Sequence, residues 1–99
     1  MADTADFERD ADGGLRLSGT LDFDGVAALW PRLRPHCAGA ARIDLGAVNG
    51  ADSAGLALLV ACLREAARAG GAPRFVNVPA QLRDMARLGD LDGLLALDD

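Results

Sequence analysis

Short apolar runs with a period of two alternate along this chain with segments whose apolar residues recur every three or four positions. Few folds accommodate that alternation. Leu15-Arg16-Leu17-Ser18 reads as a strand with one buried face. Val26, Leu29, Trp30 and Leu33 then share one face of a helix. Arg42-Ile43-Asp44-Leu45 predicts a central strand, followed by a turn over Ala47 to Asp52 and a helix from about Ala54 to Ala69. Pro73 to Val78 predicts a further strand, Gln81 to Leu88 a further helix, and Leu94 to Leu97 a last short strand or turn. Ahead of all these, Phe7 to Arg9 and the turn signal Asp12-Gly13-Gly14 complete an N-terminal hairpin. The order β-β-α-β-α-β-α implies an α/β fold with a mixed sheet of four to five strands built on parallel crossovers.

The punctuation agrees with this order. Asp22 or Asp24 can cap the first helix, and Asp52 or Ser53 the second, by accepting a bond from an unpaired first-turn N–H. Gly70-Gly71 supplies a left-handed stop after the second helix. Pro31 conflicts with its surroundings, because inside a helix it removes a donor and crowds the preceding turn. A kink or break near Ala27-Ala28 is expected, with Pro35 and Gly39 ending the element.

Ninety-nine residues, 51% of them hydrophobic and 25% charged, suit one small globular domain spanning 1–99, with about the first six residues frayed. The net charge of −5, with 10 scattered basic residues against 15 acidic ones, argues against nucleic acid and against anionic lipid surfaces. All the basic residues are arginine, which removes lysine chemistry. Cys37 and Cys62 match no zinc or redox spacing and read as small apolar residues in a reducing compartment. Neither a signal peptide nor a membrane-spanning run is visible, so a cytoplasmic location without direct membrane insertion is expected.

Catalytic and cofactor motifs are missing from the sequence. His36, the single histidine, sits beside Pro35 and reads as a solvated helix-end residue. A hydrolase built on Ser53 lacks a plausible base, and no nucleophile elbow, phosphate loop or dinucleotide fingerprint occurs. The reading is therefore a non-enzyme with no cofactor and no metal.

The informative segment is Asn49-Gly50-Ala51-Asp52-Ser53-Ala54-Gly55-Leu56, at a strand-to-helix turn. A hydroxyl there stands at the positive end of a helix, where an added phosphate is tolerated; alternatively Ser53 is only a cap contributing about 1 kcal/mol. Glycine within a helix costs about 1 kcal/mol relative to alanine, so Gly55 implies that another backbone comes close. Leu56, Leu59, Val60, Leu63 and Ala67 are the expected core face. Ala54, Ala57, Leu58, Ala61 and Cys62 then leave the first half of the helix almost without a polar side. Either a partner covers that second side, or the N-terminal segment or an adjacent helix does.

These elements together resemble the STAS family, the fold of bacterial anti-sigma-factor antagonists and related modules. The resemblance runs from about Leu15 to Leu97. It rests on Leu17-Ser18-Gly19-Thr20-Leu21-Asp22, on Ile43-Asp44-Leu45, on Asp52-Ser53-Ala54-Gly55-Leu56 and on the strand-to-helix segment Val78 to Leu88. It implies helices packed mainly on one face of the sheet, and it places the family's phosphorylatable serine on Ser53, where a partner kinase would act. Within the family the sequence is more similar to MlaB-like subunits of the Mla phospholipid-transport ABC system, through Leu29-Trp30, Gly55-Leu56-Ala57-Leu58-Leu59-Val60 and Leu82 to Leu91. That likeness implies a cytoplasmic, non-catalytic subunit, peripheral to the inner membrane through its partner, that binds and regulates the transporter's ATPase. Asp52 and Ser53 would then anchor the loop, Ala54 and Gly55 permit close approach, and Ala57, Leu58 and Ala61 supply apolar contact. Leu58→Arg is expected to abolish binding with the fold intact. The alternative implied by the wider family is an anti-sigma-factor antagonist that binds a serine kinase and is switched at Ser53.

Overall fold

A computed structural model describes residues 3–95 of the chain. Strand β1 (Asp6–Arg9) pairs antiparallel with β2 (Leu15–Leu21), β2 pairs parallel with β3 (Arg42–Ala51), and β3 pairs parallel with β4 (Arg74–Val76). The sheet is thus mixed, four-stranded and in the order β1-β2-β3-β4. Helix α1 (Phe23–Cys37) connects β2 to β3 and helix α2 (Ser53–Arg68) connects β3 to β4. Helix α3 (Ala80–Leu88) and the short α4 (Asp92–Leu95) follow. Both crossovers step the same way across the sheet, and right-handed connections then place α1 and α2 on the same face.

The hairpin turn forms as its residues dictate. Asp10 N–H donates to the Gly14 carbonyl at 2.8 Å, and Gly13 adopts a φ of 87°. Along β2, Leu15, Leu17, Gly19 and Leu21 are buried under the helices while Arg16 is exposed on the open face. Ile43, Leu45 and Phe75 extend this apolar layer, and Leu29, Leu33, Leu58, Leu59, Cys62 and Leu82 close it from the helix side. Residues 3–6, expected to fray, are held instead. The Asp3 carbonyl accepts from Thr20 N–H at 3.1 Å, Ala5 is buried and β1 already begins at Asp6. Gly19, at φ 82°, makes room for this segment, since a Cβ there would lie 2.1 Å from the Thr4 carbonyl oxygen.

Four further expectations are corrected. The strand expected to stop at Leu45 runs on to Ala51. Its register against β2 advances by one extra residue between Arg16 and Ser18, and by another between Gly19 and Thr20. Asn49 and Gly50, read as part of a turn, thus lie with Gly46 in a bulged strand, in which extra unpaired residues and glycine are both tolerated. Helix α1 is not broken at Pro31 and continues past Pro35 to Cys37. Both prolines are exposed, one turn apart, so the carbonyls they leave unbonded (those of Ala27 and Pro31) lie at exposed positions and can meet water. The core stripe of α2 is Gly55, Leu58, Leu59, Cys62 and Ala66; Leu56, Val60 and Leu63 are only half-buried and Ala67 is exposed. Finally, Asp92–Leu95 is helical where a last strand or turn was expected, and Ala96 and Leu97 lie outside the described residues.

Candidate partner-docking groove

The loop that opens α2 is held from three sides. Asp52 N–H donates to the Leu21 carbonyl at 3.3 Å at the end of β2, and Ala51 N–H donates to Gln81 Oε1 of α3 at 3.3 Å. Asp52, in extended conformation, is the N-cap, its Oδ1 accepting from Ala54 N–H at 2.8 Å. Ser53 is therefore not the cap. It is the first helical residue, and it is exposed. Asp22 plays the same part for α1, accepting from Gly25 N–H at 2.8 Å.

Gly55 does admit a close backbone, but from within the chain. A Cβ on it would stand 3.0 Å from the Leu21 carbonyl oxygen and 3.0 Å from Ala51 Cβ. Gly55 is buried, so its expected contact with a partner is replaced by one with β2. Leu58 is likewise corrected. It is 1% exposed and belongs to the core, because the sheet-facing stripe of α2 passes through it. The second side of α2 is partly covered by α1.

Where that cover is incomplete, a groove opens. Its first part, about 420 Å³, is lined by Phe23, Val26 and Ala27 of α1 and by Asp52, Ser53, Ala54 and Ala57 of α2. It continues past Trp30, Pro31 and Ala61, with Leu58 beneath, and then along Val60, Arg64, Glu65 and Arg68. Phe23 is 75% exposed, unusual for a ring of that size, and Ala57 is exposed. Of the residues expected to bind a partner, Asp52, Ser53, Ala54, Ala57 and Ala61 line the groove; Gly55 does not, and Leu58 only underlies it. Phe23, Val26 and Trp30 were missed as site residues. The helical spacing of Val26 and Trp30 identified the side of α1 that turns inward, but not that its rim stays half open, and Phe23 was not placed on that side.

Toward the other end the same helices close. Leu33, Cys37, Cys62 and Ala66 are fully buried, and Arg34 reaches Glu65 at 3.2 Å. The Cys37 and Cys62 thiols are both free; Cys37 Sγ donates to the Leu33 carbonyl at 3.7 Å, and the neighbouring Cys37 thiol together with burial pushes the Cys62 thiol well above its ordinary range. Nothing in their sequence spacing indicated that they meet.

Ser53 and His36 are not brought together. Ser53 lies at the start of α2 beside Phe23, whereas His36 is thirteen residues along α1 from Phe23, roughly 20 Å at helical rise, with its ring 5.2 Å from that of Phe7. Among the described residues no cluster of His, Cys, Asp or Glu is arranged to hold a metal ion, and no helix is long and apolar enough to cross a membrane. On the open sheet face Arg42 is paired by Asp10 at 3.2 Å and Asp12 at 2.9 Å, and Asp44 accepts from Asn77 at 3.0 Å.

The family model described as "Mlab, STAS domain" matches residues 5–96. The chain belongs to the STAS family. STAS domains are protein-interaction modules, generally without catalysis, which agrees with a site made of apolar surface rather than of reactive groups. Among solved structures, the anti-sigma factor antagonist SpoIIAA in its unphosphorylated form is 17% identical, with a TM-score of 0.66 over 87% of this chain and 84% of that one. TM1081 of Thermotoga maritima is 19% identical with a TM-score of 0.73, covering 94% of this chain and 84% of that one. These two likenesses establish the STAS fold. An anti-sigma factor antagonist from Mycobacterium paratuberculosis is 28% identical, with a TM-score of 0.60 over 95% of this chain and 83% of that one. No curated protein sequence matches this STAS chain.

Proposed function

We propose that this chain is a non-catalytic, cytoplasmic STAS subunit that binds and regulates the ATPase of a Mla-type phospholipid-transport ABC transporter, docking through the α1–α2 groove. The carrying observation is the apolar groove at the start of α2, with Phe23 75% exposed on its lip. Contiguous apolar surface of this kind is costly to leave in water and is characteristic of interfaces. The family description supports the choice of partner. In this reading Asp52 and the exposed Ser53 present the loop, while Ala54, Ala57 and Ala61 supply a flat apolar floor on which a partner can rest closely.

The test is a tagged pull-down from the native host, with Ala57→Arg as the control in place of the core residue Leu58. Ala57 is exposed, so the variant keeps its fold while a charge blocks the groove. Recovery of a transporter ATPase by the wild type and its loss from the variant is the expected result. Recovery unaffected by Ala57→Arg would move the interface elsewhere.

A second reading has its own support. Ser53 is exposed on the groove's lip, at the first position of a helix and free of the capping role, and the 28%-identical relative is an anti-sigma factor antagonist. Phosphorylation there would place about −2 of charge beside apolar contact surface and release a bound kinase. This reading requires that a serine kinase be captured in place of the ATPase, with Ser53→Asp lowering its affinity at least tenfold and Ser53→Ala binding constitutively.

A further inference from the structure

The occupant of the groove can be specified further, on the reading that the groove is the docking site. Helices α1 and α2 each return from the end of one parallel strand to the start of the next, so they run parallel to each other with both N-termini at the Phe23–Ser53 end. From Asp52 to Arg68 the groove follows α2 for roughly 24 Å at helical rise. Its middle carries no charge, between Ala57 and Ala61 on one wall and Val26, Ala27 and Trp30 on the other. Its ends differ in sign. Asp52 is the one charged residue lining the first end. Arg64 and Arg68 line the other, where Glu65 is already bridged by Arg34 and Arg68 at 3.2 Å each.

We propose that the partner contributes an amphipathic helix of about four turns that lies in this groove antiparallel to α1 and α2, with acidic residues in its first turn and basic residues in its last. Alanine walls let a helix axis come within the 8–10 Å typical of packed helices. An α-helix prefers acids near its N-terminus and bases near its C-terminus. Antiparallel entry sets that start against Arg64 and Arg68 and that end against Asp52. The partner's own dipole and the groove's charges therefore favour one direction. The two ends are farther apart than the Debye length of ~10 Å at 0.1 M salt, so they act independently.

Trp30 is the single tryptophan of the chain and lines the groove, so its emission reports occupancy directly. The probes are two synthetic peptides of about 15 residues, capped at both termini and sharing one composition and one Leu/Ala stripe. One has Glu first and Arg last; the other has the charges exchanged. The acid-first peptide is expected to shift Trp30 emission to the blue and to bind about fivefold more tightly at low salt, the ratio falling toward one near ~0.5 M NaCl. Arg64→Glu combined with Arg68→Glu, both on exposed positions, should reverse the preference. Equal binding of the two peptides, preference for the base-first one, or no response of Trp30 to either would overturn the proposal. The outcome is separable from that of the pull-down. If Ala57→Arg loses the ATPase but the peptides fail, the groove docks something other than a helix. If the peptides succeed but the ATPase is never captured, the groove takes a helix from a different protein.

Discussion

Helices α1 and α2 meet differently at their two ends. At the C-terminal end of α1, Leu33 and Cys37 interlock with Cys62 and Ala66, and all four are buried with the Arg34–Glu65 pair over them. At the N-terminal end, Ala27, Ala54 and Ala57 face one another across open space, with Phe23 projecting at the lip. The side chains on one pair of helices thus decide whether a seam closes or remains available. Large or polarizable side chains complete the core, and small ones withhold the contacts that would close it. A binding surface can therefore lie directly above the core, with one position of α2 serving each: Ala57 is exposed and Leu58 is 1% exposed.

The largest expected effect tests that boundary. Leu58→Arg buries an unpaired charge and should destabilise the protein by at least about 4 kcal/mol, a large part of a small domain's total stability. Urea unfolding monitored by Trp30 would show it. A variant as stable as wild type would mean that the seam is open further down than described. Next comes Gly55→Ala, which forces a Cβ to 3.0 Å from the Leu21 carbonyl oxygen and should cost about 1–3 kcal/mol in the same assay. A stabilised variant would show that α2 is free to shift off the sheet at the groove end. A smaller effect separates the two residues at the start of α2. Asp52→Ala removes the cap and should cost about 1 kcal/mol, whereas Ser53→Ala should stay within about 0.5 kcal/mol. The reverse order in their thermal midpoints would return the capping role to Ser53.

The smallest effect belongs to the hairpin, away from the groove. The Gly14 N–H and the Arg42 guanidinium hold the Asp12 carboxyl below its ordinary value of 3.8. A carboxyl depressed in the folded state contributes stability above its unfolded value, and that contribution is lost as pH falls through the folded one. Asp12→Asn should therefore show a slightly shallower loss of urea midpoint on acidification below pH 3.8 than wild type. A steeper loss would contradict the assignment.

Much of the site was legible for local reasons. A strand followed by Asp-Ser and an alanine-rich helix identifies a loop with a cap and a small-residue surface from adjacent residues alone. The stripe of α2 was less legible. Leu56, Leu58, Leu59, Val60 and Leu63 surround much of the helix, so periodicity picked out Leu59 but could not select Leu58 and Cys62 over Leu56 and Val60. The length of β3 was hidden for another reason. Gly46 and Asn49-Gly50 have turn chemistry, and only pairing to β2 holds them extended as bulges.

By itself the sequence determined the element order, the hairpin, the helix caps within a choice of two residues, and the α/β class, because those depend on neighbours a few positions apart. Tertiary structure decided which face of α2 turns inward, which backbone fills the space that Gly55 leaves, that Cys37 meets Cys62, and that Phe23 and Trp30 border the same groove as Ser53. Each of these joins residues separated by at least one whole strand or helix. Such contacts depend on how strands pair and helices cross, and no local pattern encodes that.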